Sequence, residues 1–225
     1  MTNVALDIPR SAFRVRAFAV VVGALLVAAA AQISIPLPGT PVPMTLQPMA
    51  VLLVGGLLGA PLGALSMILY LAMGAAGLPV FTPTVPLVGI ARLVGPTGGY
   101  LLAYPVAAWV VGRFSDPGRQ PGVTGLDSSG SLSVNPGIEQ GPGSLSVNPG
   151  LAPGVREPWI RTSFGVVAGL VLIHLGGLAQ LALITGNISS AAQLATWPFL
   201  LGDLIKIAVL VPVLTKLTPT IRARL

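Results

Sequence analysis

The sequence predicts an all-α integral membrane protein with six transmembrane helices and both termini cytoplasmic. Three observations lead there. Of the 225 residues, 53% are hydrophobic and 8% charged, whereas a soluble domain carries about 25% charged residues. The mean hydropathy is +0.87. The basic residues, which give a net charge of +6, sit at the ends of apolar runs rather than beside clustered aromatics, so they read as a topology signal and not as a nucleic-acid surface.

The apolar runs fall at 17–33, 46–59, 61–77, 99–112, 163–185 and 195–214. A span needs about 20 residues, so the second, third and fourth are short and imply tilt or ends that stop in a protein-lined cavity. Met44 to Leu78 could form one overlong helix, but Gly59-Ala60-Pro61 is a tight-turn signal, and two helices joined there is the better reading. Arg10, Arg14 and Arg16 precede the first run, Arg113, Arg119, Arg156 and Arg161 lie between the fourth and fifth, and Lys216, Arg222 and Arg224 follow the sixth. Six spans put all three groups on one side, which the positive-inside rule makes cytoplasmic.

The expected organisation is therefore a cytoplasmic tail over 1–16, four helices over 17–114, a linker over 115–160, and the last two helices with a cytoplasmic tail over 161–225. The linker is rich in Gly, Pro, Ser and Asn and is expected to be disordered. Within it GSLSVNPG occurs at 130–137 and again at 143–150. Two copies are too few for a stacked repeat array, and a duplicated low-complexity segment is the simplest reading. Asp7 interrupts the N-terminal basic region, so no ordinary signal peptide is expected.

Three charged residues do not fit the topology pattern, namely Arg92, Asp203 and Lys206. A charge at mid-bilayer costs about 2.5–3.5 kcal/mol on insertion scales. Asp203 and Lys206 are three apart and share a helix face. They either pair with each other or bind a polar solute, and a fully apolar helix would avoid the cost altogether. Other polar residues are expected at the same outer depth: Thr45 and Gln47 where the second helix starts, and Arg92, Thr97 and Tyr100 around the start of the fourth. Gly98 and Gly99, with Gly95, would let backbone N–H groups approach a ligand.

His174 stands alone in VLIHLGGLAQL and reads as a packing residue; Tyr70 and Trp109 read as core or interfacial anchors. Asn187-Ile188-Ser189 matches a glycosylation acceptor, a pattern too frequent to carry weight. Ala24 and Ala28 give the first helix a small-residue face, used either internally or by a partner subunit. The chain has no cysteine, so disulfides and thiolate metal sites are excluded. It has no phosphate-binding loop, no H-E-x-x-H and no G-x-S-x-G. Energised transport would require a separate ATPase.

Three stretches carry a resemblance: AQISIPLPGTPVPMTLQPMAVLLVGGLLGAPLGALSMILYLAMGAAGLPVF, GPTGGYLLAYPVAAWVVG and GDLIKIAVL. Together they resemble the BioY family, the biotin-specific S components of energy-coupling factor (ECF) transporters. The likeness runs through nearly all six helices; the long linker departs from it. The resemblance implies a non-enzymatic subunit of a bacterial or archaeal cell membrane that binds biotin from outside, then topples against a transmembrane coupling subunit served by two ATPases. No cofactor is implied, biotin being the transported ligand. It implies that Asp203 and Lys206 hold the ligand, and that the face bearing Ala24 and Ala28 docks the coupling subunit. Biotin's chemistry agrees: a carboxylate suits Lys or Arg, ureido N–H groups suit a carboxylate or Gln47, and the ring and chain are apolar. The alternatives are an S component for another vitamin, an intramembrane enzyme using His174 or Asp203, and a structural assembly protein.

Overall fold

A computed structural model describes residues 10–115 and 158–225. Its elements are α1 (Arg10–Gln32), a two-stranded hairpin β1 (Ser34–Ile35) and β2 (Met44–Thr45), α2 (Gln47–Leu58), α3 (Ala60–Ala75), a short α4 (Ile90–Val94), α5 (Gly98–Phe114), α6 (Pro158–Thr185), α7 (Ile188–Ala195), a 3-10 turn (Trp197–Phe199) and α8 (Leu200–Arg222). The duplicated GSLSVNPG lies outside the described residues, as does most of the expected linker. The first helix starts at Arg10, inside the stretch expected to be a tail.

Among the described residues, three segments are long and apolar enough to cross a membrane: Ala12–Gln32, Trp159–Thr185 and Ile188–Arg222. The helices α2 and α3 are apolar but short. At 1.5 Å per residue α2 is about 18 Å long, against a hydrocarbon core of about 30 Å. The missing length is made up by irregular chain. Residues 33–46 and 76–97 are largely non-helical, 186–199 hold only the short α7 and the 3-10 turn, and all three lie at one end of the bundle, where such broken chain is tolerable because it lines a cavity.

At the opposite end the chain is tight. Gly59, at φ 87°, is the only residue between α2 and α3, and its N–H bonds the Gly55 carbonyl at 3.0 Å. A β carbon there would be strained in this left-handed backbone. The Arg222 guanidinium donates to the carbonyls of Gly56 (2.7 Å), Leu57 (3.4 Å) and Gly112 (3.0 Å), and Arg16 donates to the Leu225 carbonyl at 3.0 Å. The Arg222 bonds satisfy carbonyls at the C-terminal ends of α2 and α5, and together with Arg16 they gather basic residues at this end.

The bundle is held by close contacts between small residues. Gly63 of α3 lies so near Gly55 of α2 that a β carbon on it would sit 2.7 Å from the Gly55 Cα, and Gly99 of α5 abuts Gly176 of α6 backbone to backbone. Between these crossings pack Val27, Val51, Leu52, Met67, Ile173 and Leu210, all buried. Large apolar side chains also cover the outside, among them Phe18, Leu65, Ile68, Leu102, Phe164 and Leu204. A soluble monomer rarely exposes so much contiguous apolar surface, and lipid is its natural cover.

Two expectations are corrected here. Ala24 and Ala28 do not form an outer docking face: they are 0% and 8% exposed, because α1 uses its small residues to lie close against α2 and α3. The last helix does not begin near residue 195. Pro198 and the turn Trp197–Phe199 separate α7 from α8, so Asp203 lies in the first turn of α8, closer to the helix end than continuous helix would place it. Asn187 caps α7, its side chain accepting from the N–H groups of Ser189 (2.9 Å) and Ser190 (3.2 Å).

Candidate functional site: a polar cavity among the helix ends

At the irregular end, a cavity of about 50 Å³ is enclosed by the start of α2, α4 with the loop before it, the start of α5, the middle of α6 and the start of α8. Of the residues expected to bind a ligand, Thr45, Gln47, Arg92, Thr97, Tyr100, Asp203 and Lys206 all line it. They come from three separate stretches of sequence, 45–47, 92–100 and 203–206.

Asp203 is the centre of one cluster. Its Oδ1 accepts from Lys206 Nζ at 2.8 Å and its Oδ2 meets His174 Nε2 at 2.5 Å. The Asp203 and Lys206 side chains are 10% and 8% exposed. The position of Asp203 in the first turn of α8 is itself favourable, since the helix dipole is positive there. Tyr100 donates to the Ala195 carbonyl at 2.5 Å. The rings of Tyr100, His174 and Phe199 surround each other at centroid distances of 6.2–6.5 Å, an aromatic wall beside the ion pair.

Arg92 is the centre of the second cluster. It is 1% exposed, and donates to the carbonyls of Val85 (2.6 Å), Thr82 (3.0 Å) and Leu87 (3.5 Å). Burial pushes its pKa below the ordinary arginine value, opposed by the nearby Tyr70 and Tyr104. Its Nε and the Thr97 hydroxyl are buried and have no hydrogen-bond partner among the described residues. Gln47 donates to the Tyr70 hydroxyl at 2.5 Å, which in turn donates to the Val80 carbonyl at 3.3 Å.

The charge count is unequal. Asp203 is the only acidic residue among those described, and both of its oxygens are engaged. Arg92 therefore has carbonyl partners but no carboxylate. A cavity lined by two Lys or Arg side chains and one Asp, with apolar walls from Val42, Phe81, Leu101, Leu170 and Ile173, is suited to an anion with an apolar body. Among the described residues no three His, Cys, Asp or Glu side chains are placed to hold a metal ion.

Gly98 and Gly99 are not at the cavity. A β carbon on Gly98 would strike the Leu93 carbonyl, and one on Gly99 the Gly176 carbonyl. They are small because α4 and α6 approach α5 closely, not because a ligand does. His174 was the opposite case: expected as packing, it bonds Asp203 in the cavity wall. Phe81, Thr82 and Phe199 also line the cavity and had no distinguishing sequence signal. Tyr70 is buried behind the wall and Trp109 is 48% exposed on the surface.

The model of the BioY family matches residues 8–223. A probable biotin transporter BioY of Pyrococcus horikoshii is 46% identical over 87 residues, covering 39% of this chain and 51% of that protein. The biotin transporter BioY of Thermotoga maritima is 44% identical over 91 residues, 40% and 52% of the two chains. That of Rhizobium etli is 27% identical over 169 residues, 75% and 74%. The chain thus spans about half the length of the first two relatives. A crystal structure at 2.1 Å of the S-component for biotin from an ECF-type ABC transporter superposes with a TM-score of 0.67 over 96% of this chain and 94% of that one, at 22% identity, which is a likeness of fold. With the family model matching from end to end of the helical bundle, the chain belongs to the BioY family.

Proposed function

We propose that this chain is the membrane subunit that captures biotin from the outer side for uptake by an ECF-type transporter. The observation that carries the reading is the buried excess of cation over carboxylate in a cavity whose remaining walls are apolar. Biotin supplies what such a site lacks: one carboxylate, two ureido N–H donors, and an apolar ring and chain. The names of the relatives and of the matching structure support the same ligand.

In this reading α1, α2, α3, α5, α6 and α8 are the six spans. The basic end of the bundle is cytoplasmic, consistent with its arginines, and the cavity faces out. Asp203 accepts from the ureido N–H groups, and Lys206 holds Asp203 or reaches the ligand carboxylate. Arg92 and Thr97 bind from the opposite wall, with Thr45, Gln47 and Tyr100 completing the polar contacts. The chain is a transport subunit rather than an enzyme, and its ATPases and transmembrane coupling subunit are separate chains. Ala24 and Ala28 pack inside, and we assign them no docking role. A bacterial or archaeal cell membrane is the expected location.

Titration of the detergent-purified chain with biotin and with biotin methyl ester tests this. The reading predicts a tight one-to-one complex with biotin and a Kd for the ester raised by about 10-fold or more, the loss of a charge-assisted hydrogen bond. A folded chain that binds neither, or binds another vitamin instead, overturns it.

A further inference from the structure

His174 lies in the middle of an apolar helix and is the only histidine in the chain. Its Nε2 meets Asp203 Oδ2 at 2.5 Å and its Nδ1 faces the Ala195 carbonyl oxygen at 3.4 Å. Both partners are acceptors. Of the two, the carboxylate at 2.5 Å is the nearer and the stronger acceptor for a ring N–H. The groups facing it are Asp203 and Lys206 from α8, Tyr100 from α5, whose hydroxyl already donates to Ala195, and the Phe199 ring. Arg92 and Tyr104 line the same cavity.

We infer that His174 is a positioning residue: its Nε2 clamps the second oxygen of Asp203 and its ring ties α6 to the Ala195–Phe199 wall. With Lys206 on one oxygen and His174 on the other, the carboxylate cannot rotate, and each oxygen keeps a lone-pair site for a ligand N–H. Without the imidazole that second oxygen is free to turn away, and ligand affinity falls.

This inference rests on the biotin reading, and two measurements separate them. Biotin titrations of wild type, His174→Ala and His174→Gln are compared. The Ala variant is expected to bind about 10-fold more weakly than wild type, the worth of one charge-assisted hydrogen bond, and the Gln variant, whose amide nitrogen takes the place of Nε2, to restore affinity to within about threefold of wild type. An Ala variant equal to wild type, or a Gln variant as weak as the Ala variant, overturns the inference. If the folded wild type binds no biotin, the functional reading falls, and the clamp is judged by nitrogen NMR of labelled histidine, which gives a single ring. An Nε2 signal that moves in Asp203→Asn supports it; an Nε2 signal unmoved by that change overturns it.

Discussion

Replacing Lys206 with Met removes one charge from the buried pair while keeping most of the side-chain volume. Lys206 Nζ lies 2.8 Å from Asp203 Oδ1, and both side chains are nearly buried. Breaking a buried pair by deleting one partner costs about 3–5 kcal/mol when the other is left uncompensated. Asp203 keeps its second contact, to His174 at 2.5 Å, so the expected cost is smaller, about 2–3 kcal/mol. In ligand terms the cavity also loses one of its two Lys or Arg charges. Calorimetric titration should therefore show Kd for biotin raised about 30- to 150-fold, the same energy expressed as affinity. Thermal unfolding of the unliganded protein should shift down in parallel. The double variant Asp203→Asn with Lys206→Met discards both charges and should recover part of the lost stability, since no charge is then stranded, while affinity stays low. A Lys206→Met protein that binds biotin within about threefold of wild type and melts at the same temperature would refute the reasoning, because the ammonium would then serve neither the pair nor the ligand.

Other parts of the account are open to equally direct tests. Arg92→Met should weaken biotin by about 100-fold, as expected for a charged buried donor with several hydrogen bonds, and should reduce the advantage of biotin over its methyl ester; equal loss for both ligands would place the ligand carboxylate elsewhere. Gly176→Val should lower the unfolding temperature strongly, because its β carbon would strike the Gly99 carbonyl and overpacking costs about 1–3 kcal/mol or more; normal stability would contradict the close α5–α6 crossing. Arg222→Gln should destabilise by about 1–3 kcal/mol by removing bonds to the carbonyls of α2 and α5 yet leave biotin affinity unchanged, as the change lies at the far end of the bundle.

Much of the site was legible because its residues violate their surroundings. Asp203, Lys206 and Arg92 stand out in a chain with 8% charged residues, and Gln47, Thr45, Thr97 and Tyr100 fall near the ends of apolar runs. Depth alone was enough to group them. His174 escaped because its partner Asp203 lies 29 residues away on another helix, so that only tertiary contact shows what the ring faces. Gly98 and Gly99 misled for the reverse reason: a glycine that admits a ligand and one that admits a neighbouring helix look the same in sequence. Ala24 and Ala28 raise the same ambiguity between internal packing and docking, and burial decides it. In the fold, hydropathy located the long helices, but the break between α7 and α8 depends on the Trp197–Phe199 turn, inside what reads as one apolar run.

The central claim is that the cavity at the irregular end binds biotin through its buried charges. Equilibrium titration of biotin into the purified full chain, alongside the Asp203→Ala and Arg92→Met variants, tests it most directly. The account predicts one tight site in wild type and loss of about 100-fold or more in each variant, with both variants still folded by circular dichroism. Wild-type affinity retained in both folded variants would mean that biotin binds elsewhere, and that these charges are there to hold the bundle together.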